Sequence, residues 1–403
     1  MKTKLPLVFL LVCMVNSKAP AQNTWTQMAN LSGINRAACI AFSMDSAGYV
    51  GLGYNFSQSP VQQADLWKYS PATDSWTQVA SKPGSGLSGA SAFAIGSKGY
   101  IVGGMNSSST AMNELWEYDA VLNSWVQKAS CPCAGRDYAV AFSINGKGYF
   151  GTGYDGSVNS YDDFWEYNPS LNFWFQRASV PGTPRSSAVG FTIGNKGYIG
   201  SGYTAAAVND FYQYNPQTNS WTQKASIGAQ GTSDATGFAI GDKGYICTGY
   251  VNSNPTGQLL EYDTLSNTWT PVATLTGSAR SNAVGFAVNN KGYISCGNDI
   301  SFTHLNDLWE YTPNTLVTGM NGKREDIATL LVYPSVASDK ISIKCRIAPG
   351  EFRLSVINSQ GRLCIEKVLS NLKDVDISLL PSGMYFVRIK SAAGNFAGRF
   401  VRE

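Results

Sequence analysis

The sequence predicts an all-β fold, a six-bladed β-propeller followed by a small β-sandwich, and three observations carry that prediction. A Gly-Tyr pair recurs at Gly48-Tyr49, Gly99-Tyr100, Gly148-Tyr149, Gly197-Tyr198, Gly244-Tyr245 and Gly292-Tyr293, with spacings of 51, 49, 49, 47 and 48 residues. A period of this size with four short strands per unit is the signature of propeller blades. Each unit then repeats an aromatic strand, Leu66-Trp67-Lys68-Tyr69, Leu115-Trp116-Glu117-Tyr118, Phe164-Trp165-Glu166-Tyr167, Phe211-Tyr212-Gln213-Tyr214, Leu259-Leu260-Glu261-Tyr262 and Leu308-Trp309-Glu310-Tyr311. Finally, the composition changes after Tyr311, where the tryptophans and the repeat stop together.

Taken in chain order, residues 1–21 read as a secretory signal peptide: Lys2 and Lys4 precede an apolar run from Leu5 to Val15, and Ala19-Pro20-Ala21 supplies small residues for cleavage before Gln22. That run is too short to span a bilayer, and no other segment is apolar enough. Val12 before Cys13 argues against a lipid anchor. The propeller is expected over 22–316. It opens with an orphan fourth strand, Asn23-Thr24-Trp25-Thr26-Gln27, while the last unit never reaches a tryptophan of its own after Tyr311. The N-terminal strand should therefore complete the sixth blade beside Trp309, removing a free sheet edge.

Within each blade the first strand is built from small residues. Three positions before its phenylalanine stand Cys39, Ala90, Ala139, Ala188, Ala235 and Ala283, as befits the crowded propeller axis. The turns into the second strand, Gly96-Ser97, Asn145-Gly146, Gly194-Asn195, Gly241-Asp242 and Asn289-Asn290, tolerate the positive φ of tight hairpins. Trp76, Trp125, Trp174, Trp221 and Trp269 each follow a third-strand tyrosine by seven residues and read as blade-to-blade packing. A polar linker is expected over 317–329. Alternating segments at Leu330–Tyr333, Lys340–Ile343, Phe352–Val356, Val375–Ser378 and Met384–Ile389 then predict a β-sandwich over 330–403.

The small apolar strand, the glycine pair and the spaced Tyr and Trp resemble the kelch family of β-propellers over about residues 23 to 315. The glycine doublet is intact only at Gly103-Gly104; other blades keep the second glycine alone, at Gly53, Gly153, Gly202, Gly249 and Gly297. The tail resembles the C-terminal sorting domain of the Bacteroidetes type IX secretion system. Its matching segments are Val332-Tyr333-Pro334, Ala337-Ser338-Asp339-Lys340, Gly361-Arg362, Ser378 to Tyr385 and the basic end Arg399-Phe400-Val401-Arg402, with Ser335-Val336 in place of the usual Asn-Pro. This resemblance implies that the secretion machinery is a partner of residues 330–403, and that the protein is secreted or attached to the outer cell surface.

Charge follows the same division. Residues 22–316 carry 14 Lys and Arg against 19 Asp and Glu, and residues 329–403 carry 11 against 6. An acidic propeller without a basic stripe argues against nucleic acid as a partner. Of eight cysteines, Cys131-Pro132-Cys133 lacks the second ligand pair of a zinc site and would be strained if bridged, whereas Cys345 and Cys364 are candidates to pair within the sandwich.

His304 is the only histidine. Galactose oxidase, a kelch-type enzyme, needs two histidines for its copper, so copper-radical oxidation is disfavoured and no cofactor is expected. What remains is one mouth of the axial channel. Six residues before the strand phenylalanine stand Arg36, Leu87, Arg136, Arg185, Thr232 and Arg280, and directly after the second-strand glycine stand Tyr54, Met105, Tyr154, Tyr203, Tyr250 and Asn298. Arg36, Arg136, Arg185 and Arg280 with Tyr54, Tyr154, Tyr203 and Tyr250 are the candidate ligand-binding set, suited to an acidic glycan or acidic peptide. Against this stands a structural role, in which the arginines brace loops and the tyrosines cap the core.

Two functional readings stay open. One is a non-catalytic binding or adhesion module for glycan or protein. The other is a carbohydrate-active enzyme of the sialic-acid mutarotase type, which resembles this chain in being a secreted six-bladed kelch protein and uses acid–base chemistry without metal. The first is preferred, because no blade shows an out-of-pattern acid beside an arginine.

Overall fold

The computed structural model describes residues 23–313 and, further on, 331–333, 336–344, 352–358, 362–369, 374–391 and 394–403. The expected signal peptide, its cleavage before Gln22 and the linker over 317–329 lie outside the described residues. The chain divides into two units, Met1–Thr315 and Leu316–Glu403.

The first unit is a six-bladed propeller of four-stranded antiparallel sheets. Blade 1 comprises Ile40–Met44, Ala47–Gly51, Leu66–Ser70 and Ser75–Val79. Blade 2 comprises Ser91–Ile95, Lys98–Val102, Leu115–Asp119 and Ser124–Lys128. Blade 3 uses Val140–Ile144, Lys147–Gly151, Phe164–Asn168 and Phe173–Arg177. Blade 4 uses Val189–Ile193, Lys196–Gly200, Phe211–Asn215 and Ser220–Gln223. Blade 5 uses Thr236–Ile240, Lys243–Cys247, Gln258–Asp263 and Thr268–Thr274. Blade 6 has Val284–Val288, Lys291–Ser295 and Leu308–Thr312, and its fourth strand is the N-terminal Thr24–Met28, with Gln27 opposite Trp309.

The repeat residues explain why the blades stack. The glycine of each Gly-Tyr pair lies under the first-strand phenylalanine of the preceding blade: a Cβ on Gly99 would stand 2.5 Å from the Phe42 ring, and one on Gly148 2.3 Å from Phe93. Any side chain there would push neighbouring sheets apart, so the pair marks a packing contact. The outer tryptophans hold the opposite end of each interface. Trp76, Trp125, Trp174, Trp221 and Trp269 donate their indole N–H to the carbonyls of Ala29, Ala80, Ala129, Ala178 and Ala225 at 2.7–3.0 Å.

One turn residue per blade completes this staple. Asp74, Asn123, Asn172, Asn219 and Asn267 all adopt positive φ, which Asn and Asp tolerate better than other side chains. Each accepts the hydroxyl of the third-strand tyrosine of its own blade and a backbone N–H of the connection that precedes that blade, as Asn172 does with Tyr167 at 2.9 Å and Ala129 at 2.9 Å. At the ring closure Asn23 takes the Tyr311 hydroxyl at 2.8 Å, so the N-terminal strand reproduces the repeat across the chain's ends.

The second unit has a sheet ordered Leu331–Tyr333, Lys340–Lys344, Val375–Asp376 and a five-stranded one ordered Val336–Ala337, Gly394–Arg402, Gly383–Ser391, Phe352–Asn358, Leu363–Leu369. Alternate residues Ile341, Ile343, Leu354, Val356, Val387 and Ile389 form its core, as strand periodicity requires. Cys345 lies outside the described residues, and Cys364 is exposed. Cys131 and Cys133 are disulfide-bonded, with their Cα atoms 5.2 Å apart.

Candidate functional site

Both columns of candidate residues do emerge on one side of the propeller. β-Bridges join the residue after each arginine position to the tyrosine column, as Ala37 to Tyr54, Asp137 to Tyr154, Ser186 to Tyr203, Ser233 to Tyr250 and Ser281 to Asn298. The arginines themselves do not line the mouth. Arg36, Arg136, Arg185 and Arg280 are at most 1 % exposed, among the most deeply buried large side chains in the protein.

Each guanidinium forms a two-point pair with an aspartate at the start of its blade's third strand: Arg36 with Asp65, Arg136 with Asp163, Arg185 with Asp210 and Arg280 with Asp307. In Arg280 both arms are short, Nη1 to Oδ1 at 2.5 Å and Nη2 to Oδ2 at 2.7 Å. Nε donates to the carbonyl two residues back, and Nη1 also reaches the carbonyl that ends the second strand, Leu52, Thr152, Ser201 or Cys296, at 3.0–3.2 Å. Burial pushes the Asp65 and Asp307 carboxyls up, but the arginine hydrogen bonds and charge, with Trp67 and Trp309, hold both below their ordinary value. A buried guanidinium whose donors are taken and whose charge is neutralised cannot recruit an anion from solvent. The anion-binding role read for these four arginines therefore gives way to a bracing one.

The two blades without the arginine depart in different ways. Blade 2 has Leu87, and the cation comes instead from Lys82, buried over the Trp116 ring at 5.0 Å with Nζ donating to the Pro83 carbonyl at 2.8 Å. Blade 5 loses both members at once, with Thr232 for the arginine and Gln258 for the aspartate. A cavity of about 380 Å³ opens there, lined by Thr232, Thr248, Gln258 and Ile246, and the buried hydroxyls of Thr232 and Thr248 have no partner among the described residues.

Sequence reasoning missed the residues at the mouth. Two positions after the arginine column stand Ala38, Gly89, Tyr138, Ser187, Asp234 and Asn282, all with φ between 48° and 60°. Their backbones form a closed ring of hydrogen bonds at 2.8–3.3 Å: Gly89 N to Ala38 O, Tyr138 to Gly89, Ser187 to Tyr138, Asp234 to Ser187, Asn282 to Asp234 and Ala38 to Asn282. The left-handed conformation turns each N–H and C=O sideways to the neighbouring blades. At the ring and below it, the Ala-lined channel offers cavities of about 130 and 150 Å³, each too small for a sugar.

Above it the space widens to a cavity of about 840 Å³ lined by Tyr138, Ser187, Tyr203, Asp234, Tyr250 and Phe302. Of the candidate tyrosines, Tyr203 is half exposed and Tyr250 half-buried in this wall. Tyr54 stands against the His304 ring, centroids 5.3 Å apart; burial raises its hydroxyl's pKa, an Asn298 hydrogen bond opposes this, and the charges of Tyr250 and Asp234 reach it. Tyr154 turns to its own loop and donates to the Ser157 carbonyl. Asp234 accepts the Ser187 hydroxyl at 2.7 Å, and burial raises its carboxyl above the ordinary range against that hydrogen bond. Burial likewise raises Tyr138, with Tyr54, Asp234 and Asp137 nearby.

Two acids thus break the repeat. Asp234 is the one acid in the ring, and Asp137, beside Arg136, occupies a column that is otherwise Ala37, Ser88, Ser186, Ser233 and Ser281. Asp137 is 6 % exposed with Oδ1 unpartnered, and burial pushes its carboxyl up to about 7 against its own backbone N–H, Asp155 adding to the rise. The expectation that no out-of-pattern acid accompanies an arginine is therefore corrected; aligning the six blades on the phenylalanine exposes both. The chemistry available at the mouth is flat aromatic faces, hydroxyls and one carboxylate.

The comparisons agree with this architecture. The family model described as the KLHDC2/KLHL20/DRC7 Kelch-repeats domain matches residues 37–235, and the Secretion system C-terminal sorting domain matches 331–403. No curated protein matches. Among 494 matching solved chains, so many that fold alone cannot assign a function, is one called "Structure of YjhT". It is similar at 17 % identity with a TM-score of 0.62, over 72 % of this chain and 98 % of that one, a likeness of fold. The chain is a kelch-repeat β-propeller protein that ends in a type IX secretion C-terminal sorting domain.

Proposed function

We propose that the protein is a secreted or cell-surface binding module whose propeller takes a neutral, hydroxyl-rich glycan in the cavity above the axial ring. The sorting domain supports export and contact with the secretion machinery. The observation that carries the ligand class is the cavity of about 840 Å³, where Tyr138, Tyr203 and Tyr250 offer faces for the apolar side of a pyranose and Asp234 and Ser187 offer partners for its hydroxyls. An acidic glycan or peptide fits less well, because the arginines are neutralised and the cavity's own charge is a carboxylate. A glycan array with the mature chain, beside Asp234→Asn and Tyr203→Ala, tests this. Retention of neutral glycans by the wild type and at least tenfold weaker retention by both variants is expected; unchanged binding in both places the ligand elsewhere.

Asp234 also favours a second reading, acid–base catalysis on the bound sugar. A carboxyl raised by burial beside Tyr138 and Ser187 is suited to proton exchange at an anomeric hydroxyl. The mutarotase alternative requires faster interconversion of anomers in the presence of protein, followed by NMR, and loss of that acceleration in Asp234→Asn. Binding without acceleration leaves the non-catalytic module.

A further inference from the structure

The seam between blade 6 and blade 1 carries two thiols that the glycan site does not use. The ring is covalently open inside blade 6, where the third strand Leu308–Thr312 and the fourth strand Thr24–Met28 meet only through hydrogen bonds. Cys39 immediately precedes the first strand of blade 1, and Cys296 follows the second strand of blade 6. Across the six blade boundaries, the repeat places at these two positions Leu52 with Ala90, Gly103 with Ala139, Thr152 with Ala188, Ser201 with Ala235 and Thr248 with Ala283. Cysteine occupies both positions together at the closing boundary alone.

The structure brings the two side chains into one place: both are buried as free thiols in a single apolar cluster at the seam. The neighbouring blades are pinned at this point by Gly297 N donating to the Arg36 carbonyl at 2.9 Å.

We propose that Cys39 and Cys296 form a disulfide that closes the propeller covalently across its only chain break. The thiols of Cys39 and Cys296 give up two protons and two electrons to an external disulfide, that of oxidised glutathione or an envelope thiol oxidase, which leaves as two thiols. One of the two thiolates attacks a sulfur of the oxidant while the ring is still open and releases one thiolate; the other then attacks the protein sulfur of the mixed disulfide and releases the second. The bond encloses blades 1 to 5 and the first two strands of blade 6 in one loop, so the ring stays closed even when strand Thr24–Met28 peels away. Export to an oxidising compartment supplies the conditions in which such bonds persist.

The test refolds the mature chain in a reduced and oxidised glutathione buffer, then maps peptides without reduction. A cross-linked pair containing Cys39 and Cys296 is expected, with Tm higher than that of the reduced protein by on the order of 5–10 °C. The variants Cys39→Ala and Cys296→Ser reproduce the Ala235 and Ser201 pair found at the boundary of blades 4 and 5, so both should fold, as circular dichroism will show, and each should lose the gain on oxidation beyond what the retained Cys131–Cys133 bond gives. Alkylation of both thiols after oxidising refolding, or an undiminished gain in Tm in the variants, overturns the proposal.

Discussion

Asp137→Ser restores to blade 3 the residue that blades 2, 4, 5 and 6 carry, and should make the propeller less sensitive to rising pH. The carboxyl is buried with Oδ1 unpartnered, and its folded value is about 7 against an ordinary 3.8. Below about pH 4 the group is protonated in both folded and unfolded chains and costs nothing. Between pH 4 and 7 the unfolded chain ionises first, so the folded state holds the extra proton and stability falls as pH rises; above 7 the loss is complete. A displacement of roughly three pH units at 1.36 kcal/mol each sets a ceiling of about 4 kcal/mol, with water entry and local relaxation bringing the expected loss to about 2–4 kcal/mol. Urea denaturation of wild type and Asp137→Ser at pH 4, 5.5, 7 and 8.5 reads this directly. The gap between the two should be smallest at pH 4 and widen by about 2–4 kcal/mol by pH 8.5, whatever constant offset the packing change adds. Parallel profiles across that range would refute the reasoning, because they would mean that Asp137 ionises in the folded protein as readily as in water.

The braces give a second expectation: Arg185→Ala leaves the Asp210 carboxylate and the Ser201 carbonyl without their donor and should lower stability by about 3 kcal/mol in denaturant titration, and the double change Arg185→Ala with Asp210→Ala less than the sum of the single ones. In blade 5 the opposite holds. Thr232→Arg with Gln258→Asp should fill the cavity of about 380 Å³ and raise Tm, whereas Thr232→Arg alone buries an unpaired charge and should lower it, both read by thermal melts. Trp174→Phe removes the indole bond to the Ala129 carbonyl at 2.7 Å and should cost about 1 kcal/mol in the same titration, leaving glycan retention unchanged.

Much of the fold was legible because a propeller repeats its constraints. The Gly-Tyr period and the small first-strand residues each state a packing requirement six times over, and the single orphan N-terminal strand shows where the ring closes, at Gln27 opposite Trp309. Arginine direction was harder to read, since a donor-rich side chain near a channel mouth can face either way. Yet the chain contains its own answer. Arginine and aspartate occur together in blades 1, 3, 4 and 6 as Arg36 with Asp65, Arg136 with Asp163, Arg185 with Asp210 and Arg280 with Asp307, and in blades 2 and 5 both columns change, to Leu87 with Glu114 and Thr232 with Gln258. Columns that change together within one chain mark a contact, which is why the guanidinium groups point inward. The positive φ of the mouth residues left no such trace, because Tyr138, Ser187 and Ala38 are not types that announce a left-handed backbone.

That unusual backbone is also what frees the mouth for function. Holding non-glycine residues at φ near 50° costs of order 1 kcal/mol or more at each position, and the closed ring of hydrogen bonds offsets it by satisfying every N–H and C=O around the axis. Once the backbone is fixed by its neighbours, the ring no longer depends on which side chain stands at each position. Chemistry can then differ blade by blade, as it does from Ala38 and Gly89 on one side to Tyr138, Ser187, Asp234 and Asn282 on the other. The consequence is directional: the polar arc faces the cavity of about 840 Å³ through Tyr138, Ser187 and Asp234, while the bare arc at Ala38 and Gly89 contributes no side chain to that cavity. Ala38→Asp should therefore add a second carboxylate without disturbing the glycan bound beside Asp234. Equal loss of binding in Ala38→Asp and Asp234→Asn would instead mean that the ligand sits centred on the axis and reads the whole ring.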